Sequence, residues 1–232
     1  MFAGGDRGGV KIWTIPSGKA KLAFTVGPAV TFLAFSPDRK LLALARYEAP
    51  AQLWDLDVGR VITDLPGKFS GSEALAFSPD GQRLASADAD TEIRIYEAQT
   101  GALRATNSDI LLESFAIAFS PDSKSLYVGG ADKIITALDP QTGKIQRAFP
   151  KQAFLVGDIR FSHDGRYLCG IYLDEKSFKN PAPVLIWDVA AGTVRTNVSQ
   201  PDFSPNGGEF LPDGRLLLTS SATGKLQVWS VR

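Results

Sequence analysis

The sequence predicts an all-β protein assembled from repeated small antiparallel sheets, and three observations lead there. Five similar segments are anchored by Phe35, Phe77, Phe119, Phe161 and Phe210, with spacings of 42, 42, 42 and 49 residues. A period of that length marks a repeat architecture. Each anchor runs into a turn, Ser-Pro-Asp-Arg, Ser-Pro-Asp-Gly, Ser-Pro-Asp-Ser, Ser-His-Asp-Gly or Leu-Pro-Asp-Gly. Short stretches alternate apolar and polar residues with a period of two, and no segment carries a 3.6-residue period over helical length.

Each unit then reads as four strands in order. The first ends in the Pro-Asp-Gly turn, where proline presets φ, the aspartate caps through its side chain and glycine supplies positive φ. The second is rich in small apolar residues, as in Arg83-Leu84-Ala85-Ser86-Ala87. The third carries an aromatic 19 residues after the anchor in three units, at Trp54, Tyr96 and Trp229. The fourth unit has Ala137 at offset 18 in its place, and the fifth has Trp187 at offset 26. A glycine turn follows in most units, at Gly18, Gly59, Gly101, Gly143 and Gly192, and leads into the fourth strand. Trp13 belongs to an opening unit without a first strand. The boundaries are 1–27, 28–70, 71–112, 113–155, 156–200 and 201–232, the first and last units being partial. An insertion of about seven residues, apparent from the longer gap, falls within 173–183 of the fifth unit.

The Phe-Ser-Pro-Asp-Gly turns, the Trp-Asp pairs at Trp54-Asp55 and Trp187-Asp188, the glycine turns and the period near 42 together resemble the WD-repeat (WD40) family. The resemblance spans almost the whole chain. It implies a β-propeller of six partial or complete four-stranded blades, akin to the YVTN and quinoprotein-like propellers and in the loose style of bacterial members. There are departures. No unit has the Gly-His dipeptide, so the His–Asp–Ser/Thr–Trp network of many members cannot form, although an aspartate precedes the third strand at Asp6, Asp90 and Asp132. A tally of 22 strands is two short of a closed six-blade ring. The expectation is therefore an incomplete ring, with further strands or domains of a parent chain preceding Met1.

Bulk properties narrow the function. Lys+Arg and Asp+Glu are both 25 in 232 residues, a formal charge of zero. A nucleic-acid binder would show a basic excess or stripe. No stretch has the apolar length of a membrane span, and the N-terminus lacks a signal-peptide pattern. A cytoplasmic location is expected. One cysteine, Cys169, allows no intrachain disulfide and no thiol metal pair. It reads as a small core residue. One histidine, His163, takes the turn position that proline holds elsewhere and reads as an exposed turn residue rather than a catalytic base.

No cofactor is expected. The alternative is a metal-dependent propeller hydrolase or lactonase, with Glu73, Asp158 and Glu209 gathered near the starts of first strands. Thr31, Phe32, Phe115 and Ala116 occupy the matching places in other units and interrupt that ring. Gly4-Gly5-Asp6-Arg7-Gly8-Gly9 lacks the spacing of a phosphate loop and reads as a strand-to-strand turn. Asn197-Val198-Ser199 matches a glycosylation sequon with nothing else to mark secretion.

The favoured reading is a non-catalytic scaffold that binds a protein or peptide, or the regulatory domain of a larger signalling protein. Function commonly sits on loops carried by a rigid frame. The candidate loops hold Lys68 and Phe69, Ile110, Leu111 and Leu112, Gln152, Phe154 and Leu155, and Glu175, Lys176, Phe178 and Lys179. Their apolar residues form either a contact patch or a plug over the channel mouth.

Overall fold

The computed structural model describes residues 2–6, 8–27, 29–67, 74–87, 91–110, 113–175, 182–198, 207–220 and 224–231. These hold 22 strands in six antiparallel sheets, each with neighbours in chain order. The first sheet is β1 (Phe2–Asp6), β2 (Gly9–Trp13) and β3 (Ala20–Thr25). The second is β4 (Val30–Phe35), β5 (Leu41–Arg46), β6 (Ala49–Asp55) and β7 (Arg60–Asp64). The third comprises β8 (Ala74–Phe77), β9 (Arg83–Ala87), β10 (Ile93–Glu97) and β11 (Leu103–Asn107). Then come β12 (Ser114–Phe119), β13 (Leu126–Gly130), β14 (Ile135–Leu138) and β15 (Ile145–Ala148). The fifth is β16 (Leu155–Phe161), β17 (Tyr167–Leu173), β18 (Val184–Asp188) and β19 (Thr193–Asn197). The last has three strands, β20 (Gly207–Phe210), β21 (Leu216–Ser220) and β22 (Lys225–Trp229). Two compact units divide the chain: Met1–Glu113 with Pro140–Gly143, and Ser114–Asp139 with Lys144–Arg232.

The first-to-second strand turns show why the repeat keeps Ser-Pro-Asp. The Ser36, Ser78, Ser120 and Ser162 hydroxyls donate to Asp38, Asp80, Asp122 and Asp164 at 2.5–2.6 Å. Each serine oxygen also accepts a backbone N–H five residues on, as from Leu41 and Arg83. The fourth turn residue has positive φ whether it is Gly81, Gly165 and Gly214 or Arg39 and Ser123. The hydrogen-bonded loop therefore imposes the left-handed conformation even where a side chain resists it.

A second irregularity recurs at the aromatic. The pairing of third and fourth strands shifts register at Ile12/Trp13, Leu53/Trp54, Ile95/Tyr96, Ala137/Leu138 and Ile186/Trp187. The fourth sheet thus puts Leu138, not Ala137, at the aromatic's place, 19 residues after Phe119. Leu138 is fully buried there. The register of the bulge decides equivalence, and residue size alone does not reveal it.

The cores lie between sheets within each unit, because each inner strand is buried on both faces. On β5, Leu42 and Leu44 point into a cluster with Val10, Ile12 and Trp54, while Leu41, Ala43 and Ala45 point the other way, toward Leu53, Leu84 and Tyr96. In the other unit β18 splits alike: Leu185 and Trp187 join Tyr127, Ile159 and Tyr172, and Val184 and Ile186 join Cys169, Phe210 and Leu218. The anchors Phe35, Phe77, Phe161 and Phe210 belong to these layers. Phe119 and Phe210 are buried, and Phe35, Phe77 and Phe161 are half-buried, each against its own cluster. Burying each such side chain contributes ~1.5–3 kcal/mol.

In place of the missing histidine network, three of the third-strand aromatics find partners of their own. Trp54 stacks on Phe24 at 3.9 Å and donates through Nε1 to Gln52. The Tyr96 hydroxyl donates to the Pro66 carbonyl at 2.7 Å, and Trp187 Nε1 donates to the Tyr172 hydroxyl at 3.2 Å.

Candidate functional site

In such sheets the second-to-third strand turn and the exit from the fourth strand leave by one end, and the other two turns by the opposite end. At the first end of the Ser114–Asp139 and Lys144–Arg232 unit, Lys133 and Glu175 meet. Lys133 Nζ lies 2.7 Å from Glu175 Oε2, joining the β13–β14 turn to the start of the inserted loop. The Lys133 carbonyl accepts from the Gln152 N–H, so three connections share one small network. Asp132 beside it is half-buried; burial raises its pKa, and the Ile134 N–H donated to it opposes the rise. Phe154 is half-buried and packs against the core holding Val156 and Tyr172.

The same end of the first unit is built on Arg46. Its guanidinium is buried and donates to the Pro50 carbonyl at 2.9 and 2.6 Å and to the Val26 carbonyl at 3.0 Å. Asn107, also buried, donates to the Gly143 carbonyl and accepts from the Asp109 and Ile110 N–H groups. Ile110 is buried as well, which removes it from the expected loop patch. Neither Arg46 nor Asn107 stands out in the sequence, because a buried polar side chain gripping backbone carbonyls has no periodic signal. Lys68, Phe69, Leu111, Leu112, Lys176, Phe178 and Lys179 lie outside the described residues, as do Glu73 and Asp90.

Of the candidate carboxylates, Asp158 and Glu209 share one guanidinium. Arg160 is 2.5 Å from Asp158 and 3.9 Å from Glu209. Desolvation raises the Asp158 pKa to about 6, against the pull of Arg160 and the Ile159 N–H. A cation therefore already contacts both carboxylates. Among the described residues no group of three or more His, Cys, Asp or Glu side chains is placed to hold a metal. Of the interrupting positions, Thr31 is exposed, Phe32 half-buried and Ala116 buried.

His163 is exposed in its turn. Cys169 is fully buried on β17, and burial drives its thiol pKa upward, away from the reactive thiolate. Gly4, Gly5 and Asp6 lie in β1, paired with β2, so that glycine run is strand and turn. Asn197 ends β19 in an exposed position, and Ser199 is not among the described residues.

The opposite sheet end of the first unit opens a cavity of about 730 Å³ lined by Asp80, Arg83, Glu97, Arg104 and Gln141. Its charges are matched internally, Arg83 with Asp80 at 3.6 Å and Arg104 with Glu97 at 2.6 Å.

Sheet register, the recurrent bulge and the two-faced burial set the frame for comparison with known proteins. A family model described as the anaphase-promoting complex subunit 4 WD40 domain matches residues 33–110. A chain in the crystal structure of the mitotic checkpoint complex superposes with a TM-score of 0.85 at 22% identity, covering 99% of this chain and 73% of that one. The fold is of the WD40 β-propeller type. No curated protein matches the sequence. As many as 1717 solved chains match the structure, so the propeller alone selects no activity.

Proposed function

We propose that this WD40-type chain is a non-catalytic module that binds a protein or peptide through the sheet end carrying the inserted loop. The observation that carries the reading is the Lys133–Glu175 pair. An exposed ion pair adds little stability, but this one, with the Gln152 N–H on the same turn, ties the base of the insertion to the neighbouring sheet. A loop rooted in that way loses less entropy when a partner engages what it carries. The comparisons support the reading: one similar domain is named for a subunit of a multiprotein complex, and the similar solved chain sits within another.

The test is amine-reactive cross-linking of the tagged chain in a lysate of its source, read by mass spectrometry. Partner cross-links are expected at Lys133, Lys176 and Lys179. Capture of the cross-linked partner should fall at least about fivefold, or 1 kcal/mol, in Phe178→Ala/Lys179→Ala, and persist in Lys225→Ala. Equal capture by all three proteins overturns the reading.

A further inference from the structure

A second surface, in the Ser114–Asp139 and Lys144–Arg232 unit, differs in charge from the cavity among Asp80, Arg83, Glu97 and Arg104. At the opposite sheet end from the inserted loop, the first-to-second strand turns of the fourth and fifth sheets enclose a groove of about 460 Å³. Pro121, Phe161 and Val189 form its apolar walls, Asp122 and Asp164 its acidic groups, and Tyr127 lines it as well. The turns touch directly, since a Cβ on Gly165 would meet the Pro121 ring at 3.4 Å. Val189 is held in place by Arg147, whose guanidinium donates to the Val189 and Ala190 carbonyls at 2.9 and 3.0 Å.

Both carboxylates are ionised near neutral pH. The Ser120 hydroxyl and the Lys124 N–H lower the Asp122 pKa, and the Ser162 hydroxyl and the Arg166 N–H do the same for Asp164. Those bonds all fall on Oδ1. Neither aspartate has an ion-pair partner among the described residues. The repeat explains why. Asp80 is answered by Arg83 three residues on, but the same step leads from Asp122 to Ser125 and from Asp164 to Tyr167. Arg166 is turned over the Tyr167 ring at 5.1 Å.

Tyr127 is the independent observation. Its side chain is 94% buried (6% exposed), with the ring edge-on to Phe161 at 4.9 Å and to Phe149 at 5.9 Å. Its hydroxyl makes no hydrogen bond within the described protein, and the residue lines the groove. The ring is buried but the hydroxyl oxygen is still reached by solvent, so it is free to meet a donor that enters the groove.

We infer that this groove receives an arginine side chain from a partner protein, an inference that rests on the binding reading above and adds a second contact to it. The chemistry selects that occupant. Two carboxylates each offer a free oxygen, a phenol offers a lone pair, and aromatic and proline walls offer a flat apolar slot. A planar guanidinium supplies five fixed donors and stacks on such walls, whereas an ammonium is compact and strongly hydrated.

The test uses the full chain labelled with 15N and three probes, acetyl-Gly-Arg-Gly-amide and the same peptide with citrulline or lysine in place of arginine. The arginine peptide should shift the amides of Asp122, Gly165 and Val189 saturably, less so at high salt. Asp122→Asn/Asp164→Asn keeps the Oδ1 acceptors that hold the turns and should weaken binding about fivefold or more. Tyr127→Phe should weaken binding with an unchanged circular dichroism spectrum. Phe178→Ala/Lys179→Ala should leave it intact. Shifts that are absent, that fall elsewhere, that are equal with citrulline, or that are matched by a lysine peptide would overturn the arginine assignment. If only the peptide fails while capture still depends on Phe178 and Lys179, the groove proposal falls and the scaffold reading stands. Peptide binding without that dependence gives the reverse.

Discussion

Ser78 ties its turn together through its side-chain hydroxyl. Fully buried, it donates to Asp80 and accepts the Arg83 N–H at 2.9 Å. Ser78→Ala strands that N–H and should cost about 1–2 kcal/mol in urea unfolding; a change below about 0.3 kcal/mol would show that solvent replaces the hydroxyl. Asp158 gives a pH signature of the opposite sign to the turn aspartates. Its folded pKa lies at about 6, above the ordinary aspartate value of 3.8, so the folded state binds the proton more tightly. Stability therefore falls as pH rises from about 4 to about 6, by on the order of 2–3 kcal/mol, with Asp132 adding in the same direction. Asp38, Asp122 and Asp164 have lowered values, so their contribution is present above the unfolded pKa and is lost as pH drops below about 4. Asp158→Asn should flatten the decline between pH 4 and 6 in urea titrations and leave the acid limb unchanged; a wild-type profile flat across that window would refute the assignment.

At the scale of single elements, β22 is unlike the other third strands. Leu226 and Val228 are 69% and 50% exposed, whereas Ile93, Ile95 and Ile186 on β10 and β18 are fully buried. Trp229 Nε1 is buried with no hydrogen-bond partner among the described residues, unlike Trp54 and Trp187. An exposed edge with alternating apolar side chains is a template for pairing. Leu226→Lys/Val228→Lys should lower concentration-dependent association in light scattering without lowering the unfolding midpoint, and unchanged scattering would acquit the edge. Gly129 on β13 marks the opposite situation, a site with no room. An added Cβ would stand 2.4 Å from Val156 Cγ1, so β13 and β16 approach too closely for a larger residue. The strand pattern of Leu126-Tyr127-Val128-Gly129-Gly130 reads as an ordinary second strand. Its close neighbour comes from another sheet, and no local pattern reveals that.

For the whole molecule, the layered cores predict near-independent energetics. Ile12 belongs to the cluster with Leu42 and Trp54, and Ile186 to the cluster with Cys169 and Phe210, with no residue in common. Repeat arrays sum nearest-neighbour contributions. Ile12→Val and Ile186→Val should each cost about 0.5–1.5 kcal/mol, and the double variant should match their sum within about 0.5 kcal/mol; a larger coupling in urea unfolding would mean that the layers are not separate. The chain's 42-residue rhythm, read with elementary turn chemistry, was enough to place the sheets, the Pro-Asp turns, the buried Cys169 and the exposed His163, because each depends on residues close in sequence. It misassigned Ala137 for Leu138 and offered Ile110 as surface. It missed the Arg46 and Asn107 anchors, the Lys133–Glu175 tie and the groove at Tyr127. Those depend on which strand ends meet across a gap between sheets, where one residue's hydrogen-bond partner lies tens of positions away. Local periodicity determined the repeated sheets; tertiary packing alone decided which of their polar groups were left facing outward without a partner.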